Sequence, residues 1–321
     1  MRRALIALLA AGFLAAAATG QENSNPLIIK LLSPATAVVL APQAKFAAVA
    51  SADRSLSVWD LSTAQNIKKL PLESEQLDTI AISPDGRLVF ACQHDGSAAV
   101  WDVSTGKKMR QWQLSHYANA SAFSRDGRLL AFSPGGQPTQ VFAVNGFEKR
   151  GETAPVPGGV QSFAFSRDGS LLATADSDAG VRVYSTNDMK LLSENHDLVM
   201  EPLGVDFTAD GKEVAAAGGD RTVMFVDTAS GKLIRRLAKT ENPIFFNGLR
   251  VSANGAHIGL VFMKAENMSE PAPIAIWSIA SGEKLSERTL PALISGAEWT
   301  ADGKLLCVGG EKDSVQFWRL P

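Results

Sequence analysis

Apolar and polar residues alternate with a period of two along most of this chain, and the alternation breaks at regular intervals. Ser162-Phe-Ala-Phe165 precedes Asp168-Gly169 and Leu171-Leu-Ala-Thr-Ala175 follows it, the pattern of two strands that each bury one face. The arrangement returns at Asp85-Gly86, Asp126-Gly127, Asp210-Gly211, Asn254-Gly255 and Asp302-Gly303, with Gln43-Ala44 standing for the pair at the start. Steps between the second residues are 42, 41, 42, 42, 44 and 48, a period that marks a repeat architecture. Asp-Gly or Asn-Gly between apolar runs predicts a hairpin, because such turns need positive φ and Gly supplies it without steric penalty.

A third strand is predicted in every unit: Leu56-Ser-Val-Trp-Asp60, Ala98-Ala-Val-Trp-Asp102, Gln140-Val-Phe142, Val181-Arg-Val-Tyr184, Thr222-Val-Met-Phe-Val-Asp227, Ile274-Ala-Ile-Trp277 and Val315-Gln-Phe-Trp318. A more polar fourth strand completes the unit, as at 107–114 and 232–237. Four antiparallel strands repeated in this way make propeller blades. The last unit holds three strands, which leaves an unpaired edge. Pro26-Leu-Ile-Ile-Lys-Leu-Leu32 reads as the missing fourth, pairing beside Val315 to Trp318. The expectation is an all-β, seven-bladed β-propeller closed by an N-terminal strand. Its blades fall near 35–75, 76–115, 116–156, 157–195, 196–240, 241–291 and 292–321 plus 25–33.

Ser83-Pro-Asp-Gly-Arg-Leu88, Val100-Trp-Asp102 and Ser104-Thr-Gly-Lys107, echoed at Thr228-Ala-Ser-Gly-Lys232 and Ala280-Ser-Gly-Glu-Lys284, resemble the blades of the WD40 repeat family. The resemblance covers nearly all of residues 21–321. It implies structural roles for Trp59, Asp60, Trp101, Asp102, Trp277 and Trp318. Full Trp-Asp stands only at Trp59-Asp60 and Trp101-Asp102, and the Gly-His dipeptide is missing. The family's buried His-Ser/Thr-Asp-Trp network is therefore not expected. Asp53, Asp95, Asp178 and Asp220, each six positions before the third-strand aromatic or its equivalent, are expected to tighten the loop between strands two and three.

Residues 1–20 carry Arg2-Arg3, an apolar run from Ala4 to Ala18 and small residues after it, the layout of a secretory signal peptide. Cleavage after Ala18 or Gly20 leaves no membrane span and an exported chain, periplasmic or extracellular; the alternative is an uncleaved anchor helix, for which the run is short, and Arg2-Arg3 alone does not choose between the general and twin-arginine routes. Lys and Arg number 31 against 33 Asp and Glu, for a net charge of −2, and loss of Arg2 and Arg3 lowers it to −4. That mild acidity argues against nucleic acid as a partner, which needs a basic footprint. Cys92 and Cys307 fall on second strands of blades that are not neighbours, so they read as small buried apolar side chains rather than a disulfide.

Four histidines, none in a metal-ligand spacing, and no nucleophile elbow, phosphate loop or Cys-x-x-Cys give no cofactor, metal or catalytic site. Asp176-Ser-Asp178-Ala-Gly180 faintly resembles a calcium loop, but Asn187 stands where the twelfth-position Glu belongs, and a simple inter-strand loop is the better reading. Trp112, on a fourth strand, reads as packing against the next blade, with a partner contact as the alternative.

What varies between regular repeats points to function, because binding residues concentrate on loops held by a rigid scaffold. The WD40 resemblance implies that the second-to-third strand loops and the blade-to-blade connections share one face. The irregular segments there are Ser133-Pro-Gly-Gly-Gln137, Glu194 to Met200, Asn242 to Phe246 and Met263 to Pro273. His196, Met200, Phe245, Phe246, Met263, Glu266 and Met268 supply the apolar anchors and polar rim of an interaction surface; tolerated insertion is the competing account. The leading expectation is a non-enzymatic, exported scaffold for a protein or peptide partner. The alternative is a propeller-type enzyme, a lactonase or quinoprotein-like dehydrogenase, with a metal or cofactor near the central channel.

Overall fold

The computed structural model describes residues 26–74, 76–115, 117–198, 200–218, 222–239, 244–264, 273–289, 294–311 and 314–320. The expected signal peptide lies outside these residues, as do His116, Asp220, Glu266 and Met268.

Every unit of the repeat forms one antiparallel four-stranded sheet, with its strands in sequence order in blades 1 to 6 and with an N-terminal strand completing blade 7, and the described residues form seven such sheets. Blade 2 is typical: Leu77–Ile82, Leu88–Gln93, Ser97–Asp102 and Lys108–Gln113. The first strands of successive blades pack side by side, and that of blade 7, Ile294–Trp299, returns to that of blade 1, Ala35–Leu40, so the ring is closed around a channel. The closing strand is as expected. Leu27–Lys30 pairs antiparallel with Ser314–Leu320, Ile29 opposite Val315, and buries Leu27 and Ile29 on alternate positions.

The Asp-Gly turns owe their uniformity to more than glycine. Ser83 Oγ donates to Asp85 Oδ1 at 2.6 Å and accepts Leu88 N at 2.9 Å, while Asp85 Oδ1 also accepts Arg87 N. The same closed loop of bonds joins Ser124 to Asp126, Ser166 to Asp168, Thr208 to Asp210 and Ser252 to Asn254, while in blade 7 Thr300 Oγ1 donates to Asp302 and accepts Lys304 N. Gly86 sits at φ 70° and Gly127 at φ 72°. Blade 1 has Ala41 and Gln43 in the side-chain positions, and both Gln43 and Ala44 are forced to positive φ, 68° and 52°.

Each first strand carries one bulge in the same place, between Ala35 and Ala37, Leu77 and Thr79, Ala118 and Ala120, Val160 and Ser162, Pro202 and Gly204, Phe246 and Gly248, and Ile294 and Gly296. Bulges bend and twist a strand and re-aim one side chain, and repetition in all seven blades makes them part of how the strands curve around the channel.

Packing between blades fills the rest of the core. Trp112 lies half-buried against Phe90 of its own blade and Phe132, Phe142 and Phe147 of the next, with ring centroids 5.1–6.2 Å apart, the packing role expected from sequence. Cys92 and Cys307 are free and buried, and burial pushes the Cys92 thiol up to about 12.

Candidate functional site

Four antiparallel strands per blade put the first-to-second and third-to-fourth turns on one face of the ring, and the second-to-third loops and blade-to-blade connections on the other. His196 and Met200 lie on this second face, in the connection from blade 4 to blade 5, and both are exposed. Phe245, Phe246 and Met263 are not in loops. The blade 6 hairpin is longer than its neighbours, with strands Ile244–Val251 and His257–Lys264, and Phe245 pairs with Met263 and Phe246 with Phe262. The residues that read as an insertion extend the strands instead, and Ile and Phe are residue types that favour strands.

His196 belongs to a charged cluster built on Arg182 of the third strand of blade 4, Val181–Ser185. Arg182 Nη1 donates to Asp176 Oδ2 at 2.6 Å and to Asp178 Oδ1 at 3.0 Å, and Nη2 donates to Asp178 Oδ2 at 2.7 Å. Arg182 Nε lies 3.4 Å from Glu194 Oε2, and His196 Nε2 lies 3.6 Å from the same oxygen. Burial holds the Asp176 carboxyl above its usual range, whereas the hydrogen bonds from Arg182 hold Asp178 below it. Those bonds to Asp178, against the cost of burial, raise the Arg182 guanidinium in turn. The faint calcium-loop segment is thus an arginine-bridged loop. Asp178 also accepts Gly180 N at 3.0 Å, the loop-tightening role expected of it. Asp95 does the same through Ser97 N and Oγ, and Asp53 through Ser55 Oγ.

The third-strand residues behave as scaffold. Trp101 and Trp318 are buried. Trp59 Nε1 donates to Ser57 Oγ at 2.9 Å and Ser57 Oγ to Val49 O, a short Trp-Ser chain with no His in it. Asp60 accepts Ser62 N and Oγ, and Asp102 accepts Ser104 Oγ and Thr105 N. The Asp of Trp-Asp therefore caps the turn into the fourth strand. The Trp277 Nε1 is buried with no hydrogen-bond partner among the described residues.

A second exposed group on the loop face was not legible from motif reading. Tyr117, 46% exposed, lies nearly parallel to His94 at 12° and 6.5 Å, and His94 Nδ1 is 2.9 Å from Asp78 Oδ1. Gly135 sits directly under the Tyr117 ring, where a Cβ would come within 2.8 Å. Gly136 is in turn closely opposed to Gly159 of the next blade. Part of the Ser133 to Gln137 irregularity is therefore a seat for Tyr117. Its polar members are tied down, Ser133 Oγ to Thr139 Oγ1 and Gln137 Nε2 to Ser115 Oγ. The signal in sequence was Tyr117 itself, one of two tyrosines, at the start of a blade rather than on a strand.

Among the described residues no group of three or more His, Cys, Asp or Glu is placed to hold a metal ion, and no helix is long and apolar enough to cross a membrane. The WD domain, G-beta repeat model matches residues 67–102 and 152–185. No curated protein matches the chain. The β-propeller domain of Cps50 (Swd1) from Myceliophteria thermophila superposes with a TM-score of 0.75 at 16% identity, covering 94% of this chain and 100% of that one. At that identity the likeness concerns the fold. The chain is a seven-bladed β-propeller of four-stranded antiparallel blades, with WD40 repeats matched at residues 67–102 and 152–185.

Proposed function

We propose that this chain is an exported, non-enzymatic scaffold that holds a protein or peptide partner on the face of its second-to-third strand loops. The observation that carries the reading is the exposure, on that one face, of Tyr117 beside His94 and of Met200 near His196. Large apolar side chains among polar neighbours, on loops held by a rigid ring, are what an interaction surface needs. The WD40 repeats support it, since propellers of this kind generally serve as protein-binding scaffolds. Export rests on the charged and apolar layout of residues 1–20.

A photo-crosslinking residue placed at Met200 or Tyr117 in the native host tests the surface, with Lys212 on the opposite turns as control. Crosslinks to one protein from the first two positions and not from Lys212 support the reading. Equal capture from all three, or none from the loop face, overturns it. Cleavage is tested separately by sequencing the N-terminus of the mature protein from the envelope fraction.

A further inference from the structure

At the end of the channel where the first-to-second strand turns gather, each first strand offers its next-to-last residue to a common cavity of about 100 Å³. Blades 1 to 4 place Val39, Ala81, Ala122 and Ala164 there, and blades 5 to 7 place Asp206, Arg250 and Glu298. One wall is thus small and apolar, and the other is charged.

Arg125, from the Asp-Gly turn of blade 3, reaches across this space. Its Nη2 lies 3.6 Å from Asp206 Oδ2 and its Nη1 3.9 Å from Glu298 Oε1, while Arg250 Nε is 3.4 Å from Glu298 Oε2. These are ion-pair distances without direct hydrogen bonds. The carboxylates already accept backbone N–H groups: Asp206 from Phe207 and Val251, Glu298 from Trp299. Arg167, at the corresponding turn position of blade 4, lines a small pocket that adjoins this cavity and shares Arg125, Phe165 and Asp206 with it, and it has no ion pair among the described residues. Partial desolvation and the neighbouring charge of Arg125 hold its guanidinium below the usual range. Across the cavity and the adjoining pocket, three guanidiniums, each an N–H donor with no acceptor atom, stand against two carboxylates whose lone pairs are partly spent on backbone N–H groups. The guanidiniums therefore outnumber the carboxylates by one, and the surplus sits at Arg167, on the mouth side.

We propose that this cavity binds one small aliphatic carboxylate, its oxygens on Arg125 and Arg167 and its alkyl end against Ala81, Ala122 and Ala164. A monoanion neutralises the surplus charge, and a carboxylate fits the planar fork of an arginine. The cavity is smaller than the ~150 Å³ apolar cavity that takes benzene, so the occupant has a short chain. Either a free short-chain acid or the terminal carboxylate of a polypeptide carries this chemistry. The site lies at the opposite end of the channel from the loop face and is independent of it.

Calorimetric titration of the full chain with sodium propionate tests the site, with sodium chloride and phosphate as controls at matched ionic strength. Propionate is expected to bind with one-to-one stoichiometry, at least tenfold more tightly than phosphate. Arg167→Gln, at an exposed position without an ion pair, is expected to weaken propionate at least fivefold with an unchanged thermal midpoint. Ala122→Val, which narrows the cavity, is expected to abolish binding. The proposal is overturned if propionate and chloride give the same heats, or if both variants bind propionate as the parent does. A tripeptide with a free C-terminal carboxylate and its amide distinguish the sources. Competition by the acid form alone assigns a chain terminus, and failure of both to compete assigns a free acid.

Discussion

The ring of Phe46, in blade 1, lies against the turn glycine of blade 2, so that a Cβ on Gly86 would stand 2.7 Å from it. Turn and neighbouring strand are thus fitted to each other without a side chain between them. Gly86→Ala is expected to cost about 1–2 kcal/mol for the left-handed backbone and about 1–3 kcal/mol more for overpacking. Gly303→Ala, also at positive φ but with nothing within 4 Å, is expected to cost only the backbone contribution. Urea unfolding of the two variants compares them; equal losses would show that Phe46 yields freely.

Blade 1 offers the reverse case. Gln43 is exposed at φ 68° and lacks the Ser-Asp bonding of the other turns. Gln43→Gly relieves a strained residue worth about 1–2 kcal/mol at an entropic cost of about 0.5–1 kcal/mol. A gain of roughly 0.5–1 kcal/mol follows from these two terms, to be read as a raised denaturant midpoint at constant slope.

The aspartates of the turns make stability depend on pH. Hydrogen bonds from Ser104 and Thr105 hold Asp102 at about 2, and those from Ser166 and Ser170 hold Asp168 below its ordinary value. A depressed folded-state pKa means that the stabilisation is complete above the unfolded-state value, about 3.9 for Asp, and is lost as pH falls toward the folded value. Unfolding midpoints measured from pH 6 to pH 2 are therefore expected to fall steeply below about pH 4. Asp102→Asn is expected to flatten part of that fall.

Trp112 holds two blades together through four phenylalanines. Trp112→Ala is expected to lower stability by about 3 kcal/mol, the low end for such truncations, because the indole is only half-buried. Trp112→Phe is expected to recover at least half. Equilibrium denaturation distinguishes this from a surface role, in which neither change would move the midpoint.

The ring was legible because Asp-Gly recurs at an almost constant step and because period-two alternation survives on both sides of it. The serine or threonine two places before each turn Asp or Asn gives no signal in the sequence, since its bonds close only when the turn does. The channel charges were hidden for another reason. Arg125, Asp206, Arg250 and Glu298 lie on four different blades, and no local motif joins them. Aligning the next-to-last first-strand residue of each unit would have separated four apolar blades from three charged ones. On the loop face, Phe245, Phe246 and Met263 show how strand extension can pass for insertion. An apolar run at the end of a strand gives the same pattern whether the hairpin stops or continues.

The pairing of Leu27–Lys30 with Ser314–Leu320 joins the first and last of the described strands. During synthesis Leu27–Lys30 emerges long before its partner exists, so blades 1 to 6 can form while blade 7 waits for Ser314–Leu320. Its exposed, apolar edge has to be kept from other partners until then. A chain that stops before Ser314–Leu320 therefore leaves Leu27–Lys30 without its partner and its ring open.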